Sequence, residues 1–252
     1  MTAPLAVQLY SVREALARDF DGVVRQIADM GYAGVETAGF PGTTPQAAAR
    51  LFQGLGLQVA AAHSPLPIGE RQNEFIDAAL GVGATRLVNG GIDRNLYSSE
   101  DGIAIAADMF NEAAAVAAAH GLSLGIHTHW WEFGQVEGKL AFDLLRPRLN
   151  PTIFFEIDTY WAQTAGVDPI PVLKELGPRV PLVHIKDGPT ALGEPHVAVG
   201  AGKMDIPAVV AATVPHAEWL IVELDQCATD MLQAVGDSYT YMVGHGLAHG
   251  RK

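Results

Sequence analysis

The sequence predicts an α/β protein, a closed (β/α)8 TIM barrel formed by a single domain that spans residues 1–252. Short apolar runs alternate about eight times with alanine-rich helical stretches, and such alternation predicts a parallel sheet with right-handed crossovers. The length of 252 residues suits a barrel of about 250 residues. No Gly-x-Gly-x-x-Gly follows the first strand, which disfavours an open dinucleotide-binding sheet.

Each strand and helix is predicted from features of a short stretch of sequence. The strands are near-continuous apolar runs, typical of parallel strands covered on both faces, at 5–10, 34–37, 58–63, 86–89, 123–129, 153–158, 181–186 and 219–224. Helices are predicted at 14–30, 44–55, 72–80, 98–119, 141–149, 171–176, 206–212 and 230–243. Thr44 before Pro45 and Ser99 before two acidic residues are favourable helix starts, whereas Gly31 and Gly121 mark helix ends.

The composition excludes several classes of protein. The single cysteine, Cys227, excludes an internal disulfide and a cysteine-built zinc site. The formal net charge is -12, and the basic residues form no run, which disfavours nucleic acid as a partner. The N-terminus has no basic start of the kind that signal peptides carry, and no apolar run approaches the ~20 residues of a membrane span. We expect a cytoplasmic protein with no membrane partner.

Polar residues end nearly every predicted strand. In a (β/α)8 barrel the active site lies at the carboxyl ends of the strands, and burying charges there costs several kcal/mol unless they are paired or ligated. This concentration of ionisable groups at one rim is the main functional signal of the sequence. The residues are Gln8, Glu36, His63, Asn89, His127, His129, Glu132, Glu156, Asp158, His184, Lys186, Asp187, Glu223 and Asp225.

Three of these residues predict a metal site. Asp158, His184 and Glu223 follow three consecutive strands, so their side chains are expected to converge across the rim. Two carboxylates and one imidazole suit Mn²⁺, Mg²⁺, Co²⁺ or Zn²⁺. The fourth protein ligand is expected from the fifth strand, where Glu132 and His129 are the candidates. The alternative is a site without metal, in which Asp158 and Glu223 form ion pairs with Lys186 or Arg13.

The other rim residues suit proton transfer and sugar binding. Glu132, Glu223, His127 and His129 are candidate proton carriers, and their order of importance stays open. Lys186 shares a face with His184 and is a candidate for stabilising an enolate. Gln8, Glu36, His63, His129 and Trp161 are candidate contacts to substrate, Trp161 by stacking on the apolar face of a sugar.

These motifs resemble the sugar phosphate isomerase/epimerase family, the xylose isomerase-like barrels that also include inosose dehydratase-like and ketose 3-epimerase-like proteins. The resemblance covers nearly the whole chain. Its main pieces are Val-Gln-Leu-Tyr-Ser-Val-Arg (7–13), Gly-Val-Glu (34–36), Ala-Ala-His (61–63), His-Thr-His-Trp-Trp-Glu-Phe (127–133), Asp-Thr-Tyr-Trp (158–161), Ala-Gly-Val-Asp-Pro (165–169), His-Ile-Lys-Asp (184–187) and Val-Glu-Leu-Asp-Gln-Cys (222–227).

The resemblance implies a divalent-metal barrel that acts on a sugar or cyclitol with a carbonyl. Metal ligands in the family come from strands five to eight, and Asp158, His184 and Glu223 match three of them. The fifth strand departs from the pattern, because epimerase-like members carry a glutamate where this chain has Ile126 or His127. Glu132 matches a carboxylate that touches substrate in those members. A homo-oligomer is compatible with the resemblance.

The sequence therefore predicts a metal-dependent sugar isomerase or epimerase that transfers a proton next to the carbonyl of a keto-sugar or cyclitol. The same site would perform elimination if the intermediate expels a β-oxygen, as in a 3-keto-glycoside lyase or an inosose dehydratase. Two rivals stay open. A metal endonuclease would need a basic DNA face, which the net charge of -12 disfavours, and a sugar-binding barrel without turnover would bind no metal.

Overall fold

Eight parallel strands close into a barrel in the computed structural model, which describes residues 2–213 and 216–251. Around the barrel the order is β1, β2, β3, β4, β5, β8, β9 and β10, and β10 pairs with β1. The strands are β1 (Leu5–Gln8), β2 (Gly34–Thr37), β3 (Gln58–Ser64), β4 (Arg86–Asn89), β5 (Ser123–His127), β8 (Phe154–Asp158), β9 (Leu182–Ile185) and β10 (Trp219–Val222). The predicted (β/α)8 barrel is confirmed. Residues 1, 214–215 and 252 of the predicted 1–252 domain lie outside the described residues.

The helices follow the strands. They are α1 (Arg13–Leu16), α2 (Phe20–Met30), α3 (Pro45–Leu55), α4 (Gln72–Val82), α5 (Glu100–Ala119), α6 (Ala141–Leu145), α7 (Thr159–Thr164), α8 (Pro169–Leu176), α9 (Ile206–Thr213) and α10 (Met231–Gly244). The single helix predicted at 14–30 is divided into α1 and α2, because the Asp19 carboxylate accepts a hydrogen bond from the Gly22 N–H and starts a new helix. The short α7 was not predicted; Asp158 starts it by accepting from the Trp161 N–H.

The fifth strand is shorter than predicted. It ends at His127 rather than His129, and residues 128–134 form a loop. A two-stranded hairpin of β6 (Gln135–Val136) and β7 (Lys139–Leu140) then leads to α6. His129 and Glu132 therefore lie on a loop.

The inside of the barrel is apolar at the amino ends of the strands. Nine buried residues form a separate hydrophobic cluster there: Ala6, Ala33, Ala60, Ala61, Val88, Phe154, Leu182, Trp219 and Ile221. Two glycines make room for its large rings. A Cβ on Gly125 would overlap the Phe154 ring, and one on Gly34 would lie 2.8 Å from the Trp219 ring.

The long loop after β9 is held against the barrel by one buried carboxylate. Asp187 accepts hydrogen bonds of 2.8–3.0 Å from the backbone N–H groups of Gly188, Gly200, Gly202 and Met204. Four donors satisfy this buried charge, so Asp187 shapes the loop and has no free oxygen to offer a ligand.

Only α5 among the described helices has the length and hydropathy of a membrane span. Its residues Ile103, Ala106, Phe110 and Ala113 are fully buried in the protein core. The apolar face of α5 is therefore the face that packs on the barrel.

Candidate functional site

Two glutamates and two histidines meet at the centre of the carboxyl end of the barrel. The His63 Nε2 lies 2.6 Å from Glu156 Oε2 and 3.3 Å from Glu36 Oε2. The His184 Nε2 lies 2.7 Å from Glu36 Oε2 and 3.1 Å from Glu156 Oε2. We call these four residues, Glu36, His63, Glu156 and His184, the inner cluster. All are buried except His63, which is partly exposed.

Two further residues support the inner cluster. The buried Gln8 donates from Nε2 to Glu36 Oε2 over 2.8 Å, and its own side-chain oxygen accepts from the Tyr10 N–H. The His127 Nδ1 lies 3.1 Å from Glu156 Oε2. The predicted substrate contact Gln8 thus acts, in this structure, as a partner that orients Glu36.

A second group of charges lies on the β8–β10 side of the rim. The Lys186 Nζ lies 2.9 Å from Asp158 Oδ2, 2.8 Å from Glu223 Oε2 and 2.7 Å from Asp225 Oδ2. We call Asp158, Lys186, Glu223 and Asp225 the outer cluster. These ion pairs match the alternative prediction of a site without metal, in which Asp158 and Glu223 pair with a basic side chain. Lys186, rather than Arg13, is that side chain. Arg13 donates instead to the backbone carbonyls of Tyr10 and Asp225.

His184 joins the two clusters. Its Nε2 faces the inner cluster, and its Nδ1 lies 2.7 Å from Glu223 Oε2. Two overlapping sets of side chains bring donor atoms within 4.8 Å of one another and so could hold a metal ion: His63, His127, Glu156 and His184, and His127, Asp158, His184 and Glu223. The structure therefore brings the predicted ligands Asp158, His184 and Glu223 together, with His127 beside them.

The donor set fits a divalent cation. Glu36 Oε1 and Glu156 Oε1 are buried without a hydrogen-bond partner. Asp158 Oδ2 also lacks one, although it lies within ion-pair distance of Lys186. A buried, unpartnered carboxylate oxygen costs free energy, and coordination to an ion removes that cost. Imidazole nitrogens and carboxylate oxygens are ligands that Zn²⁺, Co²⁺ and Mn²⁺ accept.

The two carboxyl groups of the inner cluster have pKa values that are shifted in opposite directions. Burial and the neighbouring Glu156 carboxylate raise the pKa of Glu36 to about 7. Burial also acts to raise the pKa of Glu156, but His184 and His63 outweigh it and hold that pKa well below its usual range. Two like charges this close favour one protonated and one ionised group. Of the two carboxyl groups, Glu36 is therefore the one whose protonated form is favoured.

The pKa values of the imidazoles are also shifted in opposite directions. Burial lowers the pKa of His127 well below its ordinary value, so this ring is neutral. Burial opposes charge on His184 too, but the Glu156 and Glu223 carboxylates raise its pKa well above the ordinary value. The pKa of Lys186 is likewise raised, since Asp158, Glu223 and Asp225 outweigh its burial.

The two candidates for a fifth-strand ligand lie apart from both clusters. The Glu132 carboxylate accepts from the His129 backbone N–H over 2.7 Å and lies near Tyr97, whose pKa is raised by burial and by this carboxylate. The His129 ring stacks on Trp131 with centroids 3.9 Å apart. The fifth-strand side chain nearest His184 is His127, whose ring centroid lies 4.5 Å from that of His184.

A large cavity opens above the inner cluster. It has a volume of about 740 Å³, and His63, His127, His129 and Glu223 line its polar side. It extends over β2, β3 and α4, where Tyr10, Phe40, Pro65 and Phe75 supply apolar walls. Its volume is within the range of pockets that enclose a drug-sized ligand. Trp161, predicted to stack on sugar, instead packs over the Lys186 ammonium, 5.3 Å from the ring centroid.

Sequence reasoning gave no role to three residues of this site. Glu156 is two residues before Asp158, so alternation along β8 places both side chains on the inner face of the barrel, and that signal was available. Phe40 lies on the loop after β2 and Phe75 on α4. Nothing in their sequence context distinguishes them from core residues.

Solved structures with the same fold are numerous, and the curated proteins give no match. A sugar phosphate isomerase/epimerase from Parabacteroides distasonis ATCC 8503 superposes with a TM-score of 0.83 at 21% identity, over 98% of this chain and 96% of that one. The probable 3-DHS dehydratase AsbF from Bacillus anthracis gives 0.74 at 12% identity, over 95% and 98%. The IOLI protein with a bound zinc atom gives 0.71 at 14% identity, over 96% and 97%.

At these identities the structural neighbours establish the fold alone. The family follows from the sequence itself, because residues 24–227 match the model of the xylose isomerase-like TIM barrel. That match covers most of the chain and includes every residue of both clusters. The chain belongs to the xylose isomerase-like TIM barrel family.

Proposed function

We propose that this protein is a sugar isomerase or epimerase that transfers a proton next to the carbonyl of a keto-sugar or cyclitol, with the help of a divalent metal ion. The observation that carries the proposal is the inner cluster. It places buried histidines and carboxylates, two of whose oxygens are unpartnered, beside a 740 Å³ cavity that His63 lines.

The metal would be Mn²⁺, Mg²⁺, Co²⁺ or Zn²⁺, held by His184 together with carboxylates of the inner or the outer cluster. When bound, it would act as a Lewis acid toward the carbonyl and make the neighbouring C–H more acidic. The ligand set predicted from the sequence, Asp158, His184 and Glu223 with Glu132 or His129, stays a prediction, and His127 is the fifth-strand residue closest to it.

Proton transfer needs groups that change their protonation state near neutral pH. Glu36, whose pKa is raised to about 7, meets this condition. His127, His129 and Glu223 line the cavity and are the predicted proton carriers that face it. Lys186 holds Glu223 in place through a 2.8 Å contact, so its role is to position that carboxylate and to favour its ionised form.

The cavity favours an uncharged sugar with an apolar substituent. Its only guanidinium among the described lining residues belongs to Arg71, which is already paired with Glu74. Phe40 and Phe75 offer faces on which a ring can stack. No nucleic acid and no membrane enter this proposal, and we place the protein in the cytoplasm.

Elimination is the second candidate reaction. The cavity has room beyond a single sugar ring, so a 3-keto-glycoside could bind there with its leaving group. The same proton abstraction would then be followed by loss of a β-oxygen instead of reprotonation, as in a 3-keto-glycoside lyase or a dehydratase.

The deciding experiment incubates the protein with a panel of keto-sugars, inososes and 3-keto-glycosides in D₂O, with each of the four ions. Mass spectrometry and NMR then locate deuterium. Deuterium at the carbon beside the carbonyl of an isomerised sugar supports the proposal, whereas release of an alcohol or water identifies elimination. If neither occurs with any compound, and sugars still bind, the protein is a sugar-binding barrel without turnover.

A further inference from the structure

We infer that the apolar end of the cavity is a subsite for the aglycone of a glycoside, and that this aglycone is a flat aromatic ring that binds against Phe40 and Phe75. The inference rests on the proposed function and names its substrate class, a keto-sugar joined to an aryl group. The sugar would lie at the polar end of the cavity, beside His63 and His127, and the aryl group would extend toward α4.

The cavity has two ends of different chemistry. Its polar lining comes from the mouth of the barrel, with His63 on β3, His127 on β5 and Glu223 after β10. Its apolar lining includes Phe40, on the loop after β2, and Phe75, on α4. One continuous cavity of about 740 Å³ joins the two ends, and pockets of about 300–1,000 Å³ enclose drug-sized ligands. A ligand with its sugar at the barrel mouth can therefore place a second ring at the apolar end.

One face of α4 forms a wall of the apolar end. Its lining residues fall at positions i, i+3, i+4, i+7 and i+8, which share one side of a helix: Arg71, Glu74, Phe75, Ala78 and Ala79. Arg71 immediately precedes the helix. Phe75 is the one aromatic ring of this face, and the next turn carries alanines, which leave the cavity open beside the ring. Because Ala78 is only half-buried, a larger side chain there would fill that space.

Phe75 has the surroundings of a ring that waits for a ligand. It is half-buried and, in the part of the chain that the structure describes, it is not among the residues that pack against the main hydrophobic core. By contrast, Phe52 of α3 and Phe110 of α5 are buried in that core. The Arg71 guanidinium lies 5.0 Å from the Phe75 ring centroid. A partly exposed phenyl ring forgoes stabilisation from burial, and stacking with an aromatic ligand would recover it.

The charges at the apolar end favour a neutral aglycone over an anionic one. Arg71 donates from Nε to Glu74 Oε2 over 2.8 Å, and a second hydrogen bond joins the same two side chains. This two-bond pairing matches the planar geometry of both groups. A phosphate or carboxylate group would have to displace Glu74 from Arg71, whereas an uncharged aromatic ring can lie on Phe75 with the pair intact.

Paired glycosides test the subsite. The probes are the phenyl and methyl β-glycosides of glucose, galactose and xylose, and isothermal titration in the presence of MnCl₂ measures their affinities. Each pair shares one sugar, so the ratio of the two affinities reports the aglycone. We expect the phenyl glycoside to bind at least about tenfold more tightly in one pair or more, because a single methylene in an apolar pocket is already worth about tenfold. None of these probes has a carbonyl, so the readout does not depend on turnover.

Two substitutions on α4 should reduce this preference. Phe75→Ala removes the stacking ring and Ala78→Leu fills the space beside it, so the affinity ratio should fall toward one in both variants. Phe75→Tyr keeps an aromatic ring and should keep most of the preference. The matched control is Ala115→Leu at an exposed position of α5. It adds the same side chain outside the cavity and should leave the ratio unchanged.

Equal affinities, or no binding, in every pair would overturn the inference, as would a wild-type ratio in Phe75→Ala. If Ala78→Leu does not fold, Phe75→Ala decides alone. Tighter binding of glucose 6-phosphate than of phenyl glucoside, lost in Arg71→Met, would also overturn it by assigning this end to an anionic group.

The subsite and the proposed reaction can fail separately. Deuterium exchange into a simple keto-sugar, together with equal affinities for phenyl and methyl glycosides, would leave the reaction standing without the subsite. The expected affinity ratio without deuterium exchange into any keto-sugar would refute the reaction and leave the subsite standing.

Discussion

The two ends of the barrel interior are built on the same strands but differ in chemistry. On β8 the inward side chains run from Phe154 to Glu156, and on β9 from Leu182 to His184. The amino end is a continuous apolar cluster, whereas the carboxyl end holds the inner and outer clusters.

The two ends of the barrel contribute to different properties, the amino end to stability and the carboxyl end to chemistry. Burying apolar side chains is favourable in proportion to the area removed from water. Burying carboxylates, histidines and a lysine costs free energy that ion pairs or a ligand must offset. We conclude that the amino end stabilises the barrel, and that this stability holds the polar groups of the carboxyl end in place. Substitutions at the two ends should therefore affect different properties.

His184→Ala is expected to have the largest effect, and on activity. It removes the side chain that joins both clusters, so catalysis of the proposed proton transfer should fall by at least about 10³-fold, or about 4 kcal/mol, and metal binding should be lost. The measurements are deuterium exchange and metal content, with circular dichroism to show that the barrel is folded. The control is His120→Ala on the exposed end of α5. Unchanged metal content in His184→Ala would refute its role in the site.

Phe154→Ala tests the apolar end. Loss of a buried phenyl ring in a barrel core should lower the free energy of unfolding by about 4 kcal/mol, measured by urea denaturation. Phe75→Ala, at a half-buried position of α4, is the matched control and should cost much less stability. If both variants lost equal stability, the amino end would not be the main source of it.

Lys186→Met tests the charge balance of the outer cluster. It leaves Asp158, Glu223 and Asp225 without their cation, and breaking a buried ion pair in this way costs about 3 kcal/mol or more. Burial acts to raise the pKa of Glu223, but Lys186 and His184 hold it well below its usual range. That stabilisation is present above the unfolded pKa and is lost as the pH falls through the folded one.

The stability difference between Lys186→Met and wild type should therefore be large at pH 7 and shrink in acid. Thermal unfolding at a series of pH values measures it. Lys139→Met, at an exposed position, is the control and should change stability by less than about 0.5 kcal/mol. A difference that stayed constant down to acid pH would contradict the ion-pair explanation.

His196→Phe should give the smallest effect, visible only in the pH dependence. Burial and the nearby Lys186 lower the pKa of His196 to about 4, against 6.5 in the unfolded chain. A lowered folded pKa contributes stability at neutral pH that is lost as the pH falls below 6.5, about 2 kcal/mol by pH 4.5. Denaturation curves at both pH values should show a smaller loss in the variant than in wild type. An equal loss would assign the pH dependence to other groups.

Sequence patterns were sufficient for the fold because its signals are local. Strand runs such as 34–37 and 86–89 and the long helix ending at Ala119 agree with the structure at the residue level, since apolar runs, caps and glycines act over a few neighbours. The division of the helix predicted at 14–30 was missed, because the capping role of Asp19 depends on one side-chain contact to Gly22.

The partners within the site were harder to predict. Glu132 and His129 follow the fifth strand in sequence, but β5 ends at His127 and the loop turns them toward each other. Glu156 was recognised as a rim residue, yet its contacts are with His63, His127 and His184, on three other strands. Contacts across the barrel depend on how the sheet closes, which no local pattern describes.

The order of strands and helices and the set of polar residues at one rim could be predicted without a structure, because period-two alternation and strand ends are properties of short segments. The contacts of Lys186 with Asp158, Glu223 and Asp225, and those of Glu36 and Glu156 with the imidazoles of His63 and His184, arise only when the barrel closes. Coulomb interactions depend on distances of a few ångströms between side chains. Those distances are set when strands far apart in the chain close into one barrel.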